Sequence, residues 1–375
     1  MERAELGDWL RLTLTPGVGS ESARKLLAAF GLPHTLWQQP ATALRQLLSA
    51  AQVDALRSEP EALAAQLTQT WDWLQTAQTD GVARRIVVLG DAQYPASLLR
   101  IDDPPLMLYL MGNANWPDLT HSIAMVGSRN PSPQGLSNAR NFARVLGQAG
   151  LTVVSGLALG IDAAAHEGAL DSVAPGTQRL ATIAVVGTGL DRVYPRRHLD
   201  LAHRIARNGL LVSEYALGTP PLSANFPRCN RLIAGLAQGT LVVEAALKSG
   251  SLITARLSAE QGKDVFAIPG SIHSTQARGC HALIKQGAKL VESVQDVLEE
   301  LKIDSPADAP ARDDLSTPAQ GLLAFLGFDP VGLDALQARC GLEMADLQAQ
   351  LMALELDGQV ARLPGGLFQR LMLDC

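Results

Sequence analysis

The chain has 375 residues, of which 47% are hydrophobic and 18% charged, which favours two or three folded domains and excludes wholesale disorder. No run of about eighteen apolar residues occurs, which excludes a membrane-spanning helix, and the acids among the first residues argue against a signal peptide. The net charge of −6 conceals a positive middle, since residues 81–300 carry 20 basic and 17 acidic side chains, so an anion-binding groove is compatible with the acidic whole.

Residues 1–65 are predicted to form a small helical domain of the SAM or helix-hairpin-helix type. The segment TPGVGSESARKLLAAFG has a Pro-Gly-Val-Gly turn, followed by Ser20 as the predicted N-cap of a helix. A helix-hairpin-helix turn of this kind brings backbone N–H groups close to a phosphate, but a tight connection between two helices explains the same residues. We favour the tight connection, because the region is acidic and Arg24 and Lys25 are its only basic cluster.

Residues 66–300 are predicted to form a Rossmann-like α/β domain with an extended, doubly wound parallel sheet. Near-continuous runs of Val, Ile and Ala alternate with helices, as is typical of parallel strands covered on both faces. The strands of this alternating part are predicted at residues 123–126, 151–154, 182–186, 210–213, 240–243 and 263–268. The loops that follow such strands lie at one edge of the sheet, where ligands bind.

Residues 301–318 are rich in proline and acids and are predicted to form a linker, and residues 319–375 a winged helix of three helices and a hairpin. The helix predicted at Met344–Leu356 contains Asp346 and Glu355 and neither lysine nor arginine, so a DNA groove would repel it. This argues against a regulator that reads double-stranded DNA through the winged helix. A protein contact or a structural role fits the helix better.

The loop VGSRNPSPQG is the strongest local signal for a phosphate site. A strand runs into Gly127, Ser128 and Arg129, and a helix is predicted from about Gly135. Backbone N–H groups and a hydroxyl at a helix start bind anions, and an arginine adds a bidentate phosphate donor. Ser155 and Gly156, which follow the next strand, can line the same edge of the sheet.

Two basic segments flank the strand predicted at 240–243. Arg228, Asn230 and Arg231 precede an apolar helix, and the loop after the strand contains Lys248, Ser249 and Gly250. Since these segments converge on one sheet edge with Arg129, we predict a shared anionic ligand. Phe226 and Tyr215 either stack on nucleic-acid bases or pack in the core, and we favour core packing for both.

A catalytic function finds less support in the sequence. Asp162 and His166 are four residues apart on one helix face, but without a nucleophile nearby we favour a capping or packing role over a catalytic pair. Glu214 and Glu244 are the only good candidates for a catalytic carboxylate. No Walker motif occurs, and GTGLDR has Arg192 where a dinucleotide-binding loop requires glycine. We therefore predict a binding protein without catalytic residues or cofactor; the alternative is a Rossmann enzyme that binds or processes nucleotides.

The cysteines give no sign of a disulfide framework or a metal site. The four are Cys229, Cys280, Cys340 and Cys375, and none stands in a CxxC pair or near histidines at metal-ligand spacing. We predict that they are reduced, which favours a cytoplasmic location, and that the protein holds no metal.

Six segments together resemble the DprA/Smf family of DNA-processing proteins. In chain order they are SIAMVGSRNPSPQG, VSGLALGIDAAAHEGAL, VVGTGLDRVYP, LVSEYALG, NFPRCNRLIAGL and VVEAALKSGSLITARLSAEQGKDVFAIPG. The resemblance covers about residues 80–300, and the flanking helical domain and winged helix also resemble members of this family. It implies a protein that binds and protects incoming single-stranded DNA during natural transformation, loads the recombinase RecA and forms a homodimer through the Rossmann domain.

The resemblance also implies where the DNA pocket lies. Its counterparts in this chain are the loop with Gly127, Ser128 and Arg129, the stretch with Arg228, Asn230 and Arg231, and the loop with Lys248, Ser249 and Gly250. One residue departs from the family pattern, because Cys229 stands where a second arginine is common. This implies one positive contact fewer in the pocket.

Overall fold

The computed structural model describes residues 1–76, 81–113, 121–174, 179–303 and 321–371. No helix within these ranges is long and apolar enough to cross a membrane. The helices of the N-terminal region are α1 (Arg3–Leu14), α2 (Ser20–Phe30), α3 (Pro33–Leu36), α4 (Ala41–Leu44), α5 (Ala50–Arg57) and α6 (Leu63–Gln75). The region is helical, as predicted, and its buried residues Leu6, Trp9 and Leu26 belong to a core that continues into the central region, with Ile86 and Leu211.

Two details of this region differ from the sequence-based prediction. Helix α2 has Gly19 as its N-cap, and Ser20, the predicted cap, is already helical and makes no capping bond. Helix α6 continues past residue 65, the predicted domain boundary, because its apolar face packs against α1. Both cations of α2 are engaged by protein groups, Arg24 by Asp103 and Lys25 by Glu21, which favours the tight connection over a phosphate-binding turn.

The central region contains one nine-stranded sheet in the described part of the chain. Its strands are β1 (Arg84–Val88), β2 (Met107–Gly112), β3 (Ser122–Val126), β4 (Thr152–Ser155), β5 (Thr182–Val185), β6 (Leu210–Ser213), β7 (Gly239–Val242), β8 (Asp264–Ala267) and β9 (Lys289–Leu290). Its helices are α7 (Pro133–Gln148), α8 (Ile161–Asp171), α9 (Leu199–Asn208), α10 (Asn225–Leu236), α11 (Ser251–Glu260), α12 (Arg278–Lys285) and α13 (Val294–Leu301). The bounds of β3 to β8 lie within one residue of the ends predicted for these six strands.

The order of the strands is β1-β2-β6-β5-β4-β3-β7-β8-β9. Strands β3 to β9 pair in parallel, and β1 and β2 form an antiparallel extension beside β6. The strand order reverses between β3 and β7, since the chain leaves β3 towards β4 on one side and returns to β7 on the other. A reversal of this kind opens a crevice at the carboxyl ends of the strands. The predicted Rossmann-like, doubly wound fold is confirmed.

The C-terminal region folds around its own small core. Its elements are β10 (Val331–Gly332), α14 (Leu333–Cys340), α15 (Met344–Leu356), β11 (Val360–Leu363) and β12 (Leu367–Arg370), and the three strands pair in the order β10-β12-β11. Leu336, Leu347 and Phe368 are buried there, which confirms a winged helix. Residues 321–324, where the first of three helices was predicted, form a single 3-10 turn. Most of the predicted linker, from residue 304 on, lies outside the described residues.

Candidate nucleic-acid interface

The candidate site lies at the reversal point between β3 and β7. The loop after β3 begins with Gly127, and the backbone N–H of Ser128 donates to the carbonyl of Glu244 over 2.7 Å, which joins the loops that follow the two strands. Helix α7 begins at Pro133, two residues before the predicted start, because Ser132 caps it by accepting from the Gly135 N–H. The two loops therefore form one rigid rim.

A groove of about 710 Å³ opens at this rim. It brings together most of the predicted site residues, namely Gly127, Ser128, Arg129, Gly156, Asn230, Lys248, Ser249 and Gly250. Arg129 and Lys248 are both exposed, and neither forms an ion pair with any described residue. Two unpaired cations on opposite loops suit a ligand with more than one negative charge.

An aromatic surface adjoins the cation of Arg129. The guanidinium carbon of Arg129 lies 5.6 Å from the ring centre of Phe226, and the ring centres of Phe226 and Tyr194 are 5.8 Å apart. Both rings line the groove, and Tyr194 is half-exposed. For Phe226 the structure therefore favours stacking over the core packing that we preferred from the sequence, whereas Tyr215 is half-buried and donates to the carbonyl of Asn225.

The loop after β7 leads into the N-terminus of α11 at the wall of the groove. Ser249, Gly250 and Ser251 line the groove, and the Ser249 and Ser251 hydroxyls are 2.7 Å apart. The N–H groups of Ser251, Leu252 and Ile253 already donate to Ser249 and Gly250, so it is the helix dipole that places partial positive charge there. With Lys248 beside it, this end of the groove favours a phosphate.

Three predicted site residues do not line the groove. Arg228 and Arg231 were predicted to precede the apolar helix. Helix α10 begins at Asn225, however, so both arginines lie within it. Arg231 is bound by both carboxylate oxygens of Glu214 at 2.6 Å, and Arg228 lies half-exposed beside Asp103. Ser155 is fully buried and donates to the carbonyl of Met125. Arg231 and Ser155 therefore make structural hydrogen bonds within the domain and do not contact a ligand in the groove.

The residues considered for catalysis are engaged in structural contacts. Asp162 accepts from the N–H groups of Gly156 and Ala158, and His166 is buried with its Nδ1 at 2.7 Å from the Thr182 hydroxyl. Burial lowers the pKa of His166 to about 3, so its ring is neutral. The two side chains do not hydrogen-bond to each other, which agrees with the capping and packing interpretation.

The two candidate carboxylates are also occupied. Glu214 pairs with Arg231, and Glu244 accepts from the backbone N–H and the hydroxyl of Ser132 at the start of α7. Burial raises the pKa of Glu244, and the hydrogen bonds from Ser132 oppose this shift. Neither carboxylate lines the groove. No cluster of potential metal ligands occurs among the described residues.

Comparison with known proteins decides the family. Residues 85–302 match the family model described as DNA recombination-mediator protein A, and residues 306–366 match that of the DprA winged helix domain. Protein Smf of Escherichia coli (strain K12) is 42% identical over 294 residues, which cover 75% of this chain and 76% of Smf. The chain belongs to the DprA/Smf family.

Two solved DprA structures support the same assignment. The X-ray structure of DNA processing protein A from Streptococcus pneumoniae has a TM-score of 0.65 and 35% identity, and the match covers 80% of this chain and 98% of that one. DNA processing protein A from Helicobacter pylori, whose structure concerns its single-stranded DNA binding mode, has a TM-score of 0.51 and 29% identity over 59% of this chain and 98% of that one.

The departure at Cys229 lies in the wall of the groove. The side chain is buried, and its sulfur lies 3.5 Å from the position that a Cβ on Gly187 would occupy. Burial raises the pKa of the thiol to about 12, so Cys229 is neutral. A small uncharged group therefore stands at this position, where the resemblance implies a second arginine.

Two residues at and beside the groove, the aromatic Tyr194 and the basic Arg197, were not predicted from the sequence. Tyr194 and Arg197 belong to the segment VYPRRH after β5; Tyr194 lines the groove, and Arg197 lines a neighbouring pocket of about 490 Å³ together with Arg129 and Arg140. The signal was present as a pair of arginines directly after an exposed Tyr-Pro. These residues follow the glycine loop GTGLDR instead of lying within it.

Among the glycines predicted for the site, Gly127 is the one at which a side chain is least tolerated. A Cβ there would lie 2.6 Å from Ile161 and 2.9 Å from the Glu244 backbone oxygen, whereas a Cβ on Gly250 meets nothing within 4 Å. We expect Gly127→Ala to lower the free energy of unfolding by about 1–3 kcal/mol, because the overpacked loop must shift. Urea denaturation measures this, with Gly250→Ala as the matched control. Equal midpoints for the two variants would contradict the close approach.

Proposed function

We propose that this protein binds single-stranded DNA in the groove between β3 and β7 and delivers the strand to the recombinase RecA. The observation that carries the proposal is the combination, in one groove, of two exposed unpaired cations, a helix N-terminus and an aromatic pair. Cations and amides bind phosphates, and aromatic rings stack on bases that a duplex keeps inside its own stack.

The contacts divide into two kinds. Arg129 and Lys248 neutralise phosphates, and the positive end of the α11 dipole at Gly250 attracts phosphate oxygens. Phe226 and Tyr194 stack on bases, since their ring centres are 5.8 Å apart at the groove surface. Arg228 lies outside the lining residues, and we assign it a weaker contact with the strand beyond the groove.

A preference for single strands is the first expected result. The cations belong to separate loops around a concave site, which suits a flexible backbone better than a rigid duplex. We expect tighter binding to a single-stranded oligonucleotide than to a blunt duplex of the same length. The affinity should fall with salt with a logarithmic slope of about 0.7 per phosphate contact. Fluorescence anisotropy with both DNAs measures this, and equal or tighter duplex binding would overturn the proposal.

The proposal that the protein delivers the strand to RecA is supported by its family membership. The matching family model is described as a recombination mediator, and the resemblance implies RecA loading, a role in natural transformation and a homodimer through the Rossmann domain. The corresponding assay measures RecA filament formation on single-stranded DNA, with and without this protein. Light scattering of the pure protein tests the homodimer.

A Rossmann enzyme that processes nucleotides is the alternative. It would require a carboxylate among the phosphate donors, and Glu214 and Glu244 are both held by protein groups outside the groove. ATP turnover assayed in parallel distinguishes the two functions. Turnover by the pure protein that Glu244→Gln abolishes would favour the enzyme.

A further inference from the structure

An acidic side chain, Asp162, lies at the floor of the groove, whose other lining residues include the cations Arg129 and Lys248. Asp162 is 8% exposed and lines the groove together with Gly156, Ala158 and Arg129. A carboxylate repels phosphates, so the part of a DNA strand that reaches this floor is not its backbone. Hydrogen-bond donors are the groups that an acidic floor attracts, and in DNA these belong to the base edges.

We propose that Asp162 reads the base that enters the groove and selects bases with an exocyclic amino group. The inference rests on the proposed function and deepens it, because it assigns a specificity-determining residue to the same groove. Cytosine presents an amino group, which a carboxylate accepts well. Thymine and uracil present a carbonyl oxygen at that position, and their N3–H lies between two carbonyls that repel the carboxylate.

The geometry leaves one carboxylate oxygen available for this contact. Oδ2 of Asp162 accepts from the N–H groups of Gly156 and Ala158, at 3.2 and 3.3 Å, which fixes the orientation of the side chain. A Cβ on Gly156 would lie 2.9 Å from Oδ2, so the absence of a side chain there keeps the carboxylate uncovered. Among the described residues the other oxygen, Oδ1, accepts from no backbone N–H, and the nearby Ser155 hydroxyl donates to the Met125 carbonyl, so Oδ1 remains for the ligand.

A second polar group in the groove also lacks a partner. The hydroxyl of Thr254 on α11 is buried and makes no hydrogen bond to any described residue, although Thr254 lines the groove. Buried hydroxyls are normally hydrogen-bonded. Together with the aromatic pair Phe226 and Tyr194, Asp162 and Thr254 give the groove a face for stacking and polar groups for a base edge.

The protonation of Asp162 supplies a second line of support. Burial raises its pKa to about 6, while the N–H groups of Ala158 and Gly156, Arg129 and Ser155 oppose the shift. Three other titratable or charged groups lie near Asp162. Arg129 faces it from the loop after β3, His166 lies one turn further along α8, and His198 is hydrogen-bonded to the Leu157 carbonyl. The carboxylate is therefore ionised at pH 8, and base selection should weaken as the pH falls below about 6.

The test compares two single strands that differ at the exocyclic group. We expect the wild-type protein at pH 8 to bind oligo-dC about tenfold more tightly than oligo-dU of the same length, since one charge-assisted hydrogen bond has that effect. Asp162→Asn should lose or reverse this preference, because its carbonyl oxygen stays bonded to the N–H groups of Gly156 and Ala158 and its NH2 group can only donate, which suits the carbonyl of uracil and not the amino group of cytosine. Its melting temperature checks folding, and Asp200→Asn, which changes an exposed carboxylate of α9 outside the groove, is the matched control that keeps the preference.

The possible outcomes separate the two proposals. Equal affinities of the wild-type protein for the two strands, or a preference that persists in a folded Asp162→Asn variant, would overturn the role of Asp162 and leave single-strand binding intact. Failure to bind either strand would overturn the proposed function. The wild-type comparison at pH 8 and pH 5 needs no variant, and a preference that is equally strong at both pH values also contradicts the inference.

Discussion

Arg129→Ala is expected to weaken binding of single-stranded DNA by roughly ten- to hundredfold while leaving the melting temperature unchanged. A charge-assisted hydrogen bond to a phosphate contributes about 1.5–3 kcal/mol, which corresponds to this range. The guanidinium is exposed, forms no ion pair with a described residue and lies over the ring of Phe226, so its removal costs folding little. Fluorescence anisotropy and thermal denaturation of the same preparation measure the two effects.

Arg256→Ala is the matched control for this prediction. Arg256 is also an exposed arginine of the Rossmann domain, but it lies outside the groove and pairs with Glu260 one turn along α11. A surface pair of this kind contributes little to stability. The control should bind DNA as the wild type does. Wild-type affinity in Arg129→Ala, or an equal loss in both variants, would show that the groove is not the DNA site.

The sheet was predictable because its strands have an unusually clear pattern. Strand β3 has every residue buried, and the runs of Val, Ile and Ala in β4 and β5 carry the same signature of a strand covered on both faces. The glycine loops mark where each strand ends. The reversal of strand order between β3 and β7 was not in the sequence pattern, since it depends on which strands pair.

Residues of the candidate groove were predictable from the sequence where they directly follow a strand. Gly127, Arg129 and Lys248 lie in such loops, and all three line the groove. Arg228 and Arg231 were misplaced, because the start of α10 at Asn225 lacks a side-chain cap and so gives no clear signal in the sequence. The partner of Arg231, Glu214, lies 17 residues away in the chain, and only the fold brings the two together.

Arg231→Ala is expected to have the largest effect on stability, about 3–5 kcal/mol, because it leaves the Glu214 carboxylate buried without its partner. The side chains of Arg231 and Glu214 are only 12% and 8% exposed, and both carboxylate oxygens accept from the guanidinium at 2.6 Å. Burial lowers the pKa of Arg231, but the hydrogen bonds and charge of Glu214 outweigh it and raise the pKa. Urea denaturation followed by circular dichroism measures the loss.

The double variant Arg231→Leu with Glu214→Leu separates the loss of the pair from the exposure of one charge. Replacing both members of a buried ion pair by apolar residues is often neutral, since neither charge then remains without a partner. We expect the double variant to recover most of the stability that Arg231→Ala loses, and to keep single-strand affinity, because neither residue lines the groove. A double variant as unstable as Arg231→Ala would show that the bond from Arg231 to the Asp103 carbonyl, at 2.9 Å, holds α10 in place instead.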